Sequence, residues 1–158
     1  MTANCIPEAK LDALPLTAQN VNVISTAPAG TSNAVLSRSI LIVDDDRSVA
    51  DTFARMLTLE GFSVQTALDA SSGHQLADVM RPQAIILYMR MPLVIGIQFL
   101  RQVRARPHLA QTPVAIVTGD YFLSDSIQQE LQTLGASVRF KPLWLEELVA
   151  LAQTLIPR

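Results

Sequence analysis

Three consecutive carboxylates, Asp44, Asp45 and Asp46, follow directly on an apolar run at residues 40–43. Acidic groups this close repel one another, so at least one pKa rises unless a cation or a hydrogen-bond donor offsets the charge. A hard divalent ion such as Mg²⁺ does so through oxygen ligands, using one or two protein carboxylates and several waters. Further along, Thr118, Gly119 and Asp120 set a hydroxyl able to donate to an anion beside a residue with no side chain to obstruct its approach. Lys141, followed by Pro142, supplies an ammonium able to pair with the carboxylates or with a bound phosphoryl group. Each signal is weak alone, and their weight depends on what brings them together.

Hydrophobic periodicity provides that frame. Residues 40–43 read as a buried strand, and 47–60 as a helix with Val49, Phe53, Met56 and Leu57 on one face, ended by Gly61 in the manner of a left-handed cap. A strand at 63–67, a weak helix at 71–80 and a strand at 84–87 come next. A helix at 95–104 stops before Pro107, and 114–117 is the fourth strand. Leu123, Ile127, Leu131 and Leu134 repeat at helical spacing up to Gly135, residues 138–140 give a fifth strand, and 143–155 a last helix. Strands alternating with helices specify an α/β fold, a doubly wound parallel sheet covered on both faces. The expected order is 2-1-3-4-5, a flavodoxin-like arrangement in which functional groups gather at the C-terminal ends of strands 1, 3 and 4.

In this order and spacing, ILIVDDD, MRMP with Gly96, VAIVTGD and RFKPL resemble the four signatures of a response-regulator receiver domain, over about residues 39–156. The resemblance implies that Asp44 and Asp45 hold Mg²⁺, that Thr118 meets the phosphoryl oxygens, and that Lys141 bridges them to an acceptor carboxylate. In such domains the acceptor is an aspartate ending strand 3, four residues before the proline and eight before the glycine. Counting back from Pro92 and from Gly96 arrives both times at Tyr88. A phenol with a pKa of ~10 is neutral at physiological pH and a poor substitute as nucleophile or metal ligand. The expectation is a pseudo-receiver without catalytic residues, acting in a two-component-type pathway through protein–protein contacts. Its acidic pocket, Asp44 and Asp45, has weak or lost Mg²⁺ affinity, Thr118 and Lys141 are remnants of the switch, and Lys141 turns toward Asp44 or Asp45. The alternative is a metal-dependent receiver with a displaced acceptor, Asp45 or Asp44. Receivers usually carry an aromatic residue two or three positions before the lysine; Val138 and Arg139 stand there, and Phe140 supplies a ring only after a register shift. A nucleotide or flavin binder would need a Gly-rich loop after the first strand, which is absent.

Composition narrows the remaining classes. With 49% hydrophobic and 16% charged residues among 158, the chain suits one buried globule plus a tail. A net charge of -2 with scattered basic residues gives no electrostatic reason to bind nucleic acid or an anionic membrane. Cys5 alone builds neither a disulfide framework nor a multi-cysteine metal site. No apolar run approaches the ~20 residues of a membrane span, and the start lacks the pattern of a secretory signal, so a cytoplasmic location is expected. His74 and His108 read as structural.

Residues 1–37, rich in Ala, Thr, Asn, Ser and Pro, read as a flexible leader, or as a docking segment using Leu11, Leu14, Leu16, Val21, Val23 and Ile24; 38–158 is the receiver-like domain. The chain ends at its last helix, so output is expected to pass through contacts and not through an appended DNA-binding or enzymatic domain. On that helix Trp144, Leu148, Leu151 and Leu155 form one apolar stripe, and Leu145, Val149, Ala152 and Ile156 a second. One stripe suffices to cover a sheet. Trp144 and the second stripe are therefore interface candidates, for a homodimer through helices 4 and 5 or for another signalling protein.

Overall fold

The computed structural model describes residues 37–88, 90 and 92–158, so the expected leader, apart from Ser37, lies outside the described residues. The strands β1 (Arg38–Val43), β2 (Phe62–Ala67), β3 (Ala84–Tyr88), β4 (Val114–Thr118) and β5 (Ala136–Phe140) alternate with five helices. These are α1 (Arg47–Leu59), α2 (Ala70–Met80), α3 (Leu93–Arg104), α4 (Asp125–Thr133) and α5 (Leu145–Leu155). All strand pairs are parallel, in the order β2-β1-β3-β4-β5, the doubly wound α/β topology expected. Successive side chains of a strand point to opposite faces. Leu41, Val43, Ile85, Leu87 and Ile116 accordingly enter the core beneath α2, α3 and α4, while Ile40, Ile42, Ile86 and Val117 enter the core beneath α1 and α5. With both faces covered, the central strands have to be apolar throughout.

Local chemistry sets the helix ends. The Asp46 side chain caps α1 by accepting from the N–H groups of Ser48 (2.9 Å) and Val49 (3.3 Å). Asp69 does the same for α2 through Ser72 (2.8 Å). Gly61 and Gly135 leave α1 and α4 at φ +90° and +69°, where a side chain would be strained. Helix α2 has no such glycine, and Arg81 takes the left-handed conformation at φ +46°. Both α3 and β5 begin two residues earlier than periodicity predicts. The first of the extra residues in each, Leu93 and Ala136, are recruited by tertiary contacts: Leu93 is buried, and Ala136 pairs with Val114 across the sheet.

Helix α5 corrects the interface expectation in part. It packs against α1 as well as the sheet, so two apolar stripes are needed to cover its inner side. Ala152 (0% exposed) and Ile156 (7%) are core residues and are withdrawn as interface candidates. Leu145 and Val149 are half-buried. Trp144 precedes the helix, 67% exposed, with its backbone N–H donating to Glu147 (2.8 Å).

A polar tie holds the far edge of the sheet. The Arg104 guanidinium donates to the carbonyls of Leu134 (2.7 Å), Thr112 (2.7 Å), Leu109 (3.3 Å) and Gly135 (3.4 Å), joining α3 to the loops on either side of it in space. On β5, whose outer side has no strand neighbour among the described residues, Arg139 donates to the carbonyl of Val138 (3.0 Å). Replacing Arg104 removes the guanidinium donor that these carbonyls share, so Arg104→Met is expected to lower unfolding free energy by about 1–3 kcal/mol. An unchanged urea midpoint would contradict this role.

His74 is buried and stacked on Phe99, 4.1 Å between ring centroids at 15°. Burial and then the neighbouring positive charge of Arg106 hold its imidazole below the usual value, with Asp78 opposing. Arg106 is held by Asp78 at 2.9 Å, and the same carboxylate meets His108 at 3.0 Å. An unfolded histidine binds its proton near pH ~6.5, whereas folded His74 resists protonation until lower pH. Its contribution to stability is thus complete above pH ~6.5 and is lost as pH falls toward the folded value. His74→Gln should flatten the acid side of the stability curve, and parallel curves for the two proteins would refute the assignment.

Candidate functional site

Neighbouring parallel strands end together, and the backbone delivers Asp44 directly after β1, Tyr88 at the end of β3, Thr118 at the end of β4 and Lys141 directly after β5. Asp44 is buried, 1% exposed. Its Oδ1 accepts the Asp46 N–H at 2.8 Å, while Oδ2 is buried with no hydrogen-bond partner among the described residues. Burial raises its pKa to about 6; the Asp46 N–H opposes this, Asp45 adds to it, and Lys141 opposes it. Asp45 is exposed, and its carboxylate accepts the backbone N–H of Arg90 at 3.3 Å. The Arg90 guanidinium reaches Asp46 at 2.7 Å. Of the three adjacent acids, one is sunk in the site, one borders it, and the third serves mainly as a helix cap.

Tyr88 fills the place beside them. Its half-buried ring meets Phe53 edge to face, 5.0 Å between centroids at 87°, and pairs in register with Val117. Burial, then the nearby charge of Asp44, push the phenol's pKa above its ordinary value, against weaker opposition from the Leu143 N–H and Arg90. The hydroxyl therefore stays protonated across the physiological range. Lys141 was expected to turn toward Asp44 or Asp45. Its ammonium lies over the Tyr88 ring, 4.4 Å from the centroid, a cation–π geometry. Burial lowers the lysine pKa, while Asp44 and Asp45 both act to raise it.

Thr118 is 4% exposed, and its hydroxyl oxygen accepts the Asp120 N–H at 3.0 Å. A Cβ added at Gly119 would meet only the Lys141 stem, at 3.9 Å, so no bulk crowds that turn. Phe140 pairs in register with Thr118 and is 43% exposed. Its ring stacks on Tyr121, 5.4 Å between centroids at 17°, and the Tyr121 hydroxyl donates to the Lys141 carbonyl. The sequence reading missed three participants. Arg90 lies within MRMP, Tyr121 directly follows VAIVTGD, and Phe53 reads from periodicity only as helix-face core.

Among the described residues no three His, Cys, Asp or Glu side chains converge on a metal geometry. The unpartnered, buried Oδ2 of Asp44 and the neighbouring Asp45 carboxylate are two oxygen donors of the kind Mg²⁺ takes. Tyr88, beside them, is a neutral phenol. Asp44 and Asp45 fit such an ion, then, while Tyr88 does not.

Comparison with known proteins agrees with this geometry. The family model of the response regulator receiver domain matches residues 40–153. The chain is 34% identical to the response regulator MprA of Mycolicibacterium vanbaalenii over 122 residues, covering 75% of this chain and 50% of that protein. It is 33% identical to the transcriptional regulatory protein PrrA of Mycobacterium leprae over 124 residues, 78% of this chain and 52% of that one. It thus spans about half the length of the curated relatives it matches. Among solved structures, the chemotaxis protein CheY4 of Vibrio cholerae superposes with a TM-score of 0.67 at 28% identity, covering 76% of this chain and 99% of that one. By sequence match, strand order and the placement of its acidic, hydroxyl and ammonium groups, the chain belongs to the response regulator receiver domain family.

Proposed function

We propose that this receiver domain is a pseudo-receiver, a signalling module that works through protein–protein contacts without an aspartyl phosphate. The observation that carries the reading is Tyr88 at the acceptor position, its phenol kept protonated by burial and by Asp44. Phosphoryl transfer to a receiver needs an ionised carboxylate whose oxygen attacks phosphorus as the donor's leaving group departs. A neutral phenol backed by an ammonium 4.4 Å from its ring centroid supplies neither the nucleophile nor the third metal oxygen. Mg²⁺, when bound, would offset phosphate charge from Asp44 and Asp45 alone, at reduced affinity. Output would come from recognition by another signalling protein, or by a second copy through α4 and α5. Tyr121, Phe122 and Trp144 are exposed at 57%, 93% and 67%, a supply of aromatic contact surface. The domain itself is proposed to leave nucleic acid alone. No helix among the described residues is long and apolar enough to cross a membrane.

Two measurements test this reading. With acetyl phosphate and Mg²⁺, the parent protein should keep its intact mass, and Tyr88→Asp should gain one phosphoryl group. Phosphorylation of the parent that disappears in Asp45→Asn or Asp44→Asn would replace the proposal with the displaced-acceptor reading. The second concerns Asp44 in metal-free buffer. Its folded pKa, about 6, lies above the ordinary 3.8, so its contribution is favourable below pH ~4 and is lost as pH rises through about 6. Asp44→Asn should therefore stabilise the protein relative to the parent at pH 8, by up to about 3 kcal/mol, and hardly at all near pH 4. A stability difference independent of pH would remove the buried, uncompensated carboxylate from the account.

A further inference from the structure

On the face of the sheet covered by α1 and α5, the two helices leave a groove of about 350 Å³ lined by Met56, Glu60, Leu145, Glu146 and Val149. Its floor is apolar and half-buried, formed by Met56, Leu145 and Val149. Both charged groups on its rim are acidic, and both are exposed. Neither the Glu60 nor the Glu146 carboxylate enters an ion pair among the described residues. Arg38 approaches Glu60 only at its backbone carbonyl, 3.3 Å away. The larger groove between α4 and β5, about 650 Å³, has no charged lining residue and so selects no charge on an occupant.

An apolar floor between unpaired carboxylates is the complement of a helix whose apolar stripe is flanked by cations. The stripe removes Met56, Leu145 and Val149 from water, and Lys or Arg side chains along its margins meet the rim acids. Methionine in the floor suits the purpose, since its unbranched side chain adapts to the knobs of an incoming helix. We infer that the α1–α5 groove docks an amphipathic helix of a partner protein, with basic residues bordering its apolar stripe. The inference gives a partner chemistry to the interaction module proposed above and rests on that reading only in assigning output to contacts. Tyr88 does not line the groove, so phosphorylation of the parent protein would overturn the pseudo-receiver without deciding the docking.

Trp144, the only tryptophan of the chain, precedes Leu145 and is 67% exposed, which makes it a built-in reporter. The probe is a synthetic helix-forming peptide with a leucine stripe bordered by lysines; its counterpart carries glutamates in place of the lysines. The full chain is titrated with each while Trp144 emission is followed. The lysine peptide should bind saturably with a blue shift, and the glutamate peptide at least tenfold more weakly. Glu60→Lys combined with Glu146→Lys should weaken the lysine peptide at least tenfold. Asp125→Lys, on α4 across the sheet, should leave it within about twofold, with circular dichroism confirming that each variant is folded. Equal binding of the two peptides, no saturable binding, or an equal loss from Asp125→Lys would overturn the inference. So would a homodimer of the chain that dissociates on Leu145→Glu, since a second copy would then occupy the groove.

Discussion

The Asp44 carboxylate is nearly inaccessible to water, has one oxygen without a donor, and sits beside another acid; the rest of the site is arranged around that burial. Burying an ionised carboxylate is unfavourable unless charge or hydrogen bonds compensate. Here compensation comes from within the chain. The Asp46 N–H bonds Oδ1, Lys141 supplies a positive charge from β5, and Tyr88 holds that ammonium against its ring. An aromatic face is a weaker counterpart to an ammonium than a carboxylate is, so the pocket keeps an excess of negative character that its own groups only partly offset.

A receiver switches when a ligand favours one of two arrangements, and the shift cannot exceed the difference in that ligand's affinity for them. With a protonated phenol at the acceptor position, the proposed ligand is another protein. Contacts within the chain tie the strand ends around the pocket to the loops that follow them. The Thr118 hydroxyl holds the Asp120 N–H, and Tyr121 bridges to the Lys141 carbonyl while stacking on Phe140. The aromatic element of the site is thus shared between the loop after β4 and the end of β5, which the spacing of Val138 and Arg139 before the lysine already hinted.

Much of the fold is legible in the sequence because the sheet is buried on both faces. Apolar runs such as 40–43 and 84–87 leave little doubt about strands, and Gly61 and Gly135 mark helix ends by a conformation other residues rarely adopt. Reading failed where tertiary contact decided. Arg81 takes a left-handed turn that its side chain does not advertise, β5 gains two residues only because β4 is there to pair with, and the second stripe of α5 is partly core because α1 lies against it. In the site, Asp44, Asp45, Thr118 and Lys141 were found through motif order. Arg90, Phe53 and Tyr121 were missed because their partners are distant in sequence, and no local spacing encodes such a meeting.

The four carbonyls gripped by Arg104 bear on how the chain avoids its own copies. A sheet edge is a template for foreign strands, and an edge that peels away easily is also an invitation to exchange with a neighbouring molecule. Detaching α4 and β5 as a unit would pull Leu134 and Gly135 off a partly buried guanidinium and cost two of its four acceptors. Arg139, laid on the Val138 carbonyl, leaves a bulky cation where an intruding strand would begin to pair. Arg104 thus opposes detachment of the last strand, and Arg139 sets a cation on that strand's open edge.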